Sequence, residues 1–194
     1  MALDPAITKS LIRQTPKESR VQVQKLFGKA FQKIKNQMIA EFLNHPVTIE
    51  LKGGLKSSNI SGTLGGRNGN LFSFIGFNSG EDPTKAIEEI LQNTEFRFSR
   101  LTTKSKEFRV SIPDAKEVFA ATPMPWAPGR SWAKGIESGI SGLGYYINKT
   151  SSDSRSGRGV QTSKPISRGS RFKNTQYISA ILKKYKKQFE NIQL

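Results

Sequence analysis

The sequence predicts an α+β domain in which a long N-terminal helix packs on a small mixed or antiparallel sheet. Three observations predict it. A capped apolar stripe runs from Thr15 towards Asn44. Short apolar runs bounded by turn residues follow it, without the repeated βαβ pattern of a parallel sheet. Past residue 121 the texture becomes rich in Pro, Gly and Ser, and an amphipathic helix closes the chain. The division is an arm over 1–14, a core over 15–121, an extended Gly/Ser/Arg-rich loop over 122–170 and a basic helix over 171–194.

Thr15-Pro16-Lys17-Glu18 is a helix start: Thr15 caps, Pro16 takes the first helical position and Glu18 completes a capping box. Val23, Leu26, Phe27, Ala30, Phe31, Ile34 and Met38 then recur at steps of three and four. Pro46 ends this helix near Asn44, because proline disfavours helical geometry in the residue before it. Val47 to Leu51 alternates and predicts a strand, followed by a Lys52-Gly53-Gly54 turn. Asn59 to Leu64 and Asn70 to Phe77 predict two strands around the glycine-rich Gly65–Gly69 loop. Asp82-Pro83 predicts a second helix with Ala86, Ile87, Ile90 and Leu91 inward. Phe96 and Phe98, then Phe108, Val110 and Ile112, alternate as a hairpin joined by Thr102–Lys106. Asp114–Ala120 reads as a short helical turn, and Ser131 as the cap of another carrying Trp132, Ile136 and Ile140. Tyr177, Ile178, Ile181, Leu182, Tyr185 and Phe189 mark the last amphipathic helix.

Composition narrows the chemistry. With no cysteine and one histidine, His45, a thiol nucleophile, a Cys-ligated zinc or a His cluster has no material. No apolar run approaches the ~18 residues of a membrane span. The 31 Lys+Arg against 15 Asp+Glu leave a net charge of +16. That charge is uneven: residues 138–189 hold 11 basic residues against the single acid Asp153. Two readings of this basic tail stand open, phosphate-backbone binding and docking on an acidic protein surface. For the first, the candidate residues are Lys149, Arg155, Arg158, Arg168, Arg171 and Lys173.

Other motifs weaken on inspection. Gly62–Gly69 lacks the Gly-Lys-Ser/Thr of a phosphate-binding loop, and Gly135–Gly142 has no strand leading into it. Glu81 and Asp82, or Glu88 and Glu89, lack a third ligand; Asp82 is a helix cap and Glu88 and Glu89 a solvated face. Asn59-Ile60-Ser61 and Asn148-Lys149-Thr150 match the glycosylation pattern without a secretory signal. No catalytic residue, cofactor or metal is therefore expected.

A wider pattern is carried by Asn59–Gly66 with Gly69–Phe77, by Pro123-Met124-Pro125-Trp126 with Gly129-Arg130-Ser131-Trp132 and Gly135-Ile136-Glu137, and by Ser154-Arg155-Ser156-Gly157 with Val160-Gln161. Across roughly residues 40–161 it resembles structural proteins of contractile- or long-tailed bacteriophage virions. The order of helix, sheet and helix is similar to neck and tail-completion proteins. The resemblance implies a non-enzymatic component of the head-to-tail junction in the virion, assembled in the host cytoplasm. It implies a homo-oligomeric ring, roughly six- or twelve-fold, against the connector or adaptor, the tail terminator and the tail tube or sheath, with DNA passing through the channel. A baseplate or other tail component, or a nucleic-acid-binding module using the C-terminal arm, are the alternatives. On this reading Trp126, Arg130 and Trp132 are exposed interface anchors, joined by Arg155, Arg158, Arg168 and Arg171. The alternative for both tryptophans is that they cover the chain's own sheet.

Overall fold

The computed structural model describes residues 16–64, 69–101, 106–125, 127–139 and 172–192. The fold is α+β: a long N-terminal helix, two small antiparallel sheets and a C-terminal helix. Helix α1, Pro16–Leu43, begins with its proline in the first turn. The expected stripe is its buried face: Val23, Phe27, Phe31, Met38 and Phe42 are all shielded from water. Then come α2 (Pro46–Lys52), a 3-10 turn (Gly54–Lys56), α3 (Leu71–Ile75) and α4 (Lys85–Gln92). Strands β1 (Glu95–Leu101) and β2 (Lys106–Ser111) follow, with α5 (Ala115–Ala120), β3 (Pro123–Met124) and β4 (Ala127–Ser131). Helices α6 (Trp132–Ser138) and α7 (Ile178–Glu190) complete the order.

Three expected strands are not strands. Pro46 does end α1, but it also opens α2 at once, with the His45 Nδ1 accepting the Val47 N–H at 3.2 Å. Val47, Thr48, Glu50 and Leu51 are buried while Ile49 is 42% exposed. That is a helical face; the alternation of Val47, Ile49 and Leu51 imitated a strand because five residues cannot separate the two periods. Likewise the apolar run after Asn70 is helix α3. The Asn70 side chain caps the Ser73 N–H at 2.9 Å, and Gly76 ends the helix at φ 89°, where a glycine meets no Cβ penalty. Asn59 to Leu64 is irregular turn structure. The expected hairpin between these runs is therefore absent, and residues 65–68 lie outside the described residues.

The second helix starts later than its sequence signal. The Asp82 carboxylate accepts the Thr84 N–H at 3.0 Å and the Thr84 hydroxyl at 2.6 Å, so it holds a turn and α4 begins at Lys85. The Phe-rich hairpin is as expected. Strands β1 and β2 pair antiparallel, with Phe96 opposite Val110 and Phe98 opposite Phe108. Phe108 stacks on Phe27 with centroids 3.8 Å apart, and Phe96 lies 4.9 Å from Phe31. Lys35 ties α1 to the end of α4 by donating to the carbonyls of Gln92 and Thr94. The second sheet is the short β3–β4 pair.

Glu50 is the most consequential buried polar side chain. Its carboxylate accepts the Leu71 N–H at 2.6 Å and the Ser61 N–H at 2.8 Å, so one residue of α2 caps α3 and pins the intervening loop. Asn70 completes the clasp by donating to the carbonyls of Gly54, Leu55 and Ser57. A buried carboxylate is tolerated only when such donors replace its lost hydration. Glu50→Ala orphans both N–H groups and should cost about 3 kcal/mol in urea denaturation. Glu50→Gln, which keeps one acceptor, should cost less.

Candidate assembly surface

Of the 122–170 segment expected to be an extended assembly loop, the described part folds instead into β3, β4 and α6. Ser131 caps α6 by accepting the Lys134 N–H at 3.0 Å, as its sequence position suggested. The chain leaves this helix at Gly139 and is described again from Phe172. The returning strand of chain lies beside the departing one: the Thr175 N–H donates to the Ile136 carbonyl at 3.1 Å. The Asn174 side chain stands 3.4 Å from where a Cβ on Gly139 would sit. Phe172 stacks against Phe74 at 5.8 Å, and the Lys173 N–H donates to the Thr63 carbonyl at 2.8 Å.

Polar contacts lock this root to the body. Glu137, at the end of α6, accepts the N–H of Ser179 at 2.8 Å and also its hydroxyl. It thereby caps α7, whose own N-cap Tyr177 makes no side-chain cap bond. The Tyr177 hydroxyl shares a hydrogen bond of 2.9 Å with Thr48, and burial pushes its phenol pKa far above the ordinary range. His45 packs 4.9 Å from the Tyr177 ring. Desolvation lowers the His45 pKa; a hydrogen bond to the Gln176 backbone and the charges of Glu41 and Glu137 work against that effect. These pairings were not legible in the sequence, because Glu137 and Ser179 are 42 positions apart and Thr48 and Tyr177 are 129.

The expected interface residues divide. Trp132 is 2% exposed and packs edge-on against Phe77 at 5.9 Å. It is a core residue, so the expectation of an exposed anchor is corrected. The buried face of α6, formed by Trp132, Ala133 and Ile136, makes it a packing helix instead. Arg130 is exposed on β4, and Lys173 is exposed in the returning segment. Trp126, Lys149, Arg155, Arg158, Arg168 and Arg171 lie outside the described residues.

The carboxylates considered for chemistry have structural partners. Glu81 accepts the N–H and side-chain amide of Asn78, Glu88 pairs with Lys52 at 3.3 Å, and Glu89 faces Lys85. Among the described residues no group of three His, Asp or Glu side chains is placed to hold a metal ion. None of the helices among them is long and apolar enough to cross a membrane. No protein-family model matches this chain, and neither a curated protein nor a solved structure matches it.

Two outcomes follow from this packing. Trp132→Ala should destabilise the chain by about 3–5 kcal/mol in chemical denaturation, as a large core truncation does. A surface anchor would leave stability nearly unchanged. The depressed His45 pKa makes its neutral form the one that folding favours. Its contribution is thus present above the unfolded value of about 6.5 and is lost as pH falls through the folded value. Because the chain has a single histidine, the slope of stability against pH just below 6.5 should flatten in His45→Asn, which still caps α2.

Proposed function

We propose that this chain is a non-enzymatic structural component of a tailed-phage virion, of the neck or tail-completion type, which forms an oligomeric ring joining head and tail. One observation carries the assembly part of this reading. The described segments on either side of residues 140–171 lie side by side, held by the Thr175–Ile136 hydrogen bond and the contact of Asn174 with Gly139. These 32 residues contain Lys149, Arg155, Arg158, Lys164, Arg168 and Arg171 against Asp153 alone. Among the described residues, the core beside these ends contains Trp132 and Ile136 on one side and Tyr177 and Ile178 on the other. A polar, basic insertion rooted this way has little apolar surface to bury on its own body. It gains contact area by docking on a neighbouring subunit, and the docking energy then offsets its ordering entropy. The resemblance of residues 40–161 to virion proteins supplies the place: the head-to-tail junction, against the connector or adaptor, the tail terminator and the tail tube or sheath.

The test uses the proximity of the two ends. Replacing residues 140–171 by a Gly-Ser linker of about six residues spans the root at ~3.3 Å per residue. The shortened chain should keep the circular dichroism and thermal transition of the full chain. Native mass spectrometry should show the full chain as a closed oligomer and the shortened one as a monomer. A full-length chain that stays monomeric at tens of micromolar (a range of roughly the affinity expected of a modest interface) sinks the reading. So does a shortened chain that still forms the ring.

A further inference from the structure

Between Ser19 and Ala40, helix α1 carries Arg20, Lys25, Lys29, Lys33 and Lys35 and not one acidic residue. Lys25, Lys29 and Lys33 are all exposed and recur every fourth residue. They form a row with steps of about 6 Å along the helix. The row lies opposite the buried Phe27, Phe31 and Met38, and its exposed neighbours include Gln22, Gln32, Asn36 and Gln37. Helix α7 repeats the arrangement, with Lys183, Lys184, Lys186 and Lys187 exposed and Ile178, Ile181, Leu182, Tyr185 and Phe189 buried.

The two helices pack antiparallel. Phe31 meets Phe189 at 5.1 Å, while Glu41 accepts hydrogen bonds from Lys184 and, at 2.7 Å, from the Tyr185 hydroxyl. Each helix therefore turns its apolar side to the other and leaves its lysines exposed. Lys184 is engaged by Glu41. Lys25, Lys29, Lys33, Lys183 and Lys187 have no carboxylate partner among the described residues. Of the side chains described on these two helices, only Glu41 and Glu190 are acidic.

The residue types choose the partner. Protein interfaces are depleted in lysine and rely on aromatic, methionine or arginine anchors. Here the exposed large hydrophobic side chain on α1 is Val21, and α7 exposes none. With no exposed aromatic ring on either helix, bases have nothing to stack on, which disfavours a single strand. Lysines with interspersed Gln and Asn instead match phosphate oxygens of a duplex, which position a protein without reporting sequence. We infer that the exposed lysines of α1 and α7 bind the phosphate backbone of double-stranded DNA without reading its sequence. The inference does not depend on ring assembly, since a monomer carries the same lysines.

The experiment is fluorescence anisotropy of the full chain with a labelled mixed-sequence duplex of about 30 base pairs, over a range of salt. One variant combines Lys25→Gln, Lys29→Gln, Lys33→Gln, Lys183→Gln and Lys187→Gln. A second combines Arg155→Gln, Arg158→Gln, Arg168→Gln and Arg171→Gln in the basic insertion. The lysine variant should keep the thermal transition, lose at least about tenfold in affinity at moderate salt and flatten the log–log salt slope by roughly four. The arginine variant should retain most of both quantities. Should the fivefold variant lose its thermal transition, the α1 triple substitution takes its place, with a slope change of between two and three expected, about 0.9 per lost phosphate contact. Absence of binding by the unmodified chain overturns the inference. So does a folded lysine variant that binds like the unmodified chain, or a preference of more than about tenfold between unrelated duplexes.

Discussion

The described body depends on the apolar stripe of α1. At 1.5 Å per residue this 28-residue helix is about 42 Å long, and its partners are distributed along it. The β1–β2 hairpin stacks on Phe27 and Phe31, the end of α4 is held by Lys35, and α7 lies against Phe31 and Glu41. An isolated helix in water is marginal even when amphipathic. Helix and body therefore stabilise each other, and loss of the stripe would remove the surface on which the hairpin and α7 dock.

The shorter elements are held by polar clasps. Helices α2, α3 and α6 contain 7, 5 and 7 residues, too few to persist alone. Glu50 and Asn70 fasten α2, α3 and the loop between them. Glu137 fastens α6 to α7. In each case a carboxylate or amide on one element satisfies backbone groups of another. The same bonds that cancel a desolvation penalty thus also fix which elements are neighbours.

The chain's excess positive charge has two addresses. One is the stretch between Gly139 and Phe172; the other is the set of exposed lysines on α1 and α7. Glu137 and Tyr177 sit between them, anchoring the root of the first to the start of the helix that bears part of the second. The proposed roles are correspondingly different: contact with a neighbouring subunit for the insertion, and contact with a polyanion for the helical lysines. A single net charge conceals this division, because it sums groups that the fold sets apart.

Much of the fold was legible because its signals are local. Pro16 at the head of α1, the three-and-four spacing of its stripe, the alternating phenylalanines of the hairpin and the caps Asp114 and Ser131 each act within a few residues. Helices α2 and α3 were misread as strands for a definite reason. A buried apolar run of five residues fits both periods, and the deciding groups (His45, Asn70 and Gly76) act through capping geometry rather than through hydrophobic pattern. Trp132 had two open readings, and burial against Phe77 chose the core. By itself, then, the sequence determined the helical spine, the hairpin, the terminal helix and the concentration of basic residues near the end. Only the tertiary structure decided that Glu50 and Glu137 are clasps, that the segments flanking residues 140–171 lie side by side, and that α7 packs against Phe31 and Glu41 of α1. Those properties depend on residues far apart in the chain, and no local pattern encodes a contact whose partner lies tens of positions away.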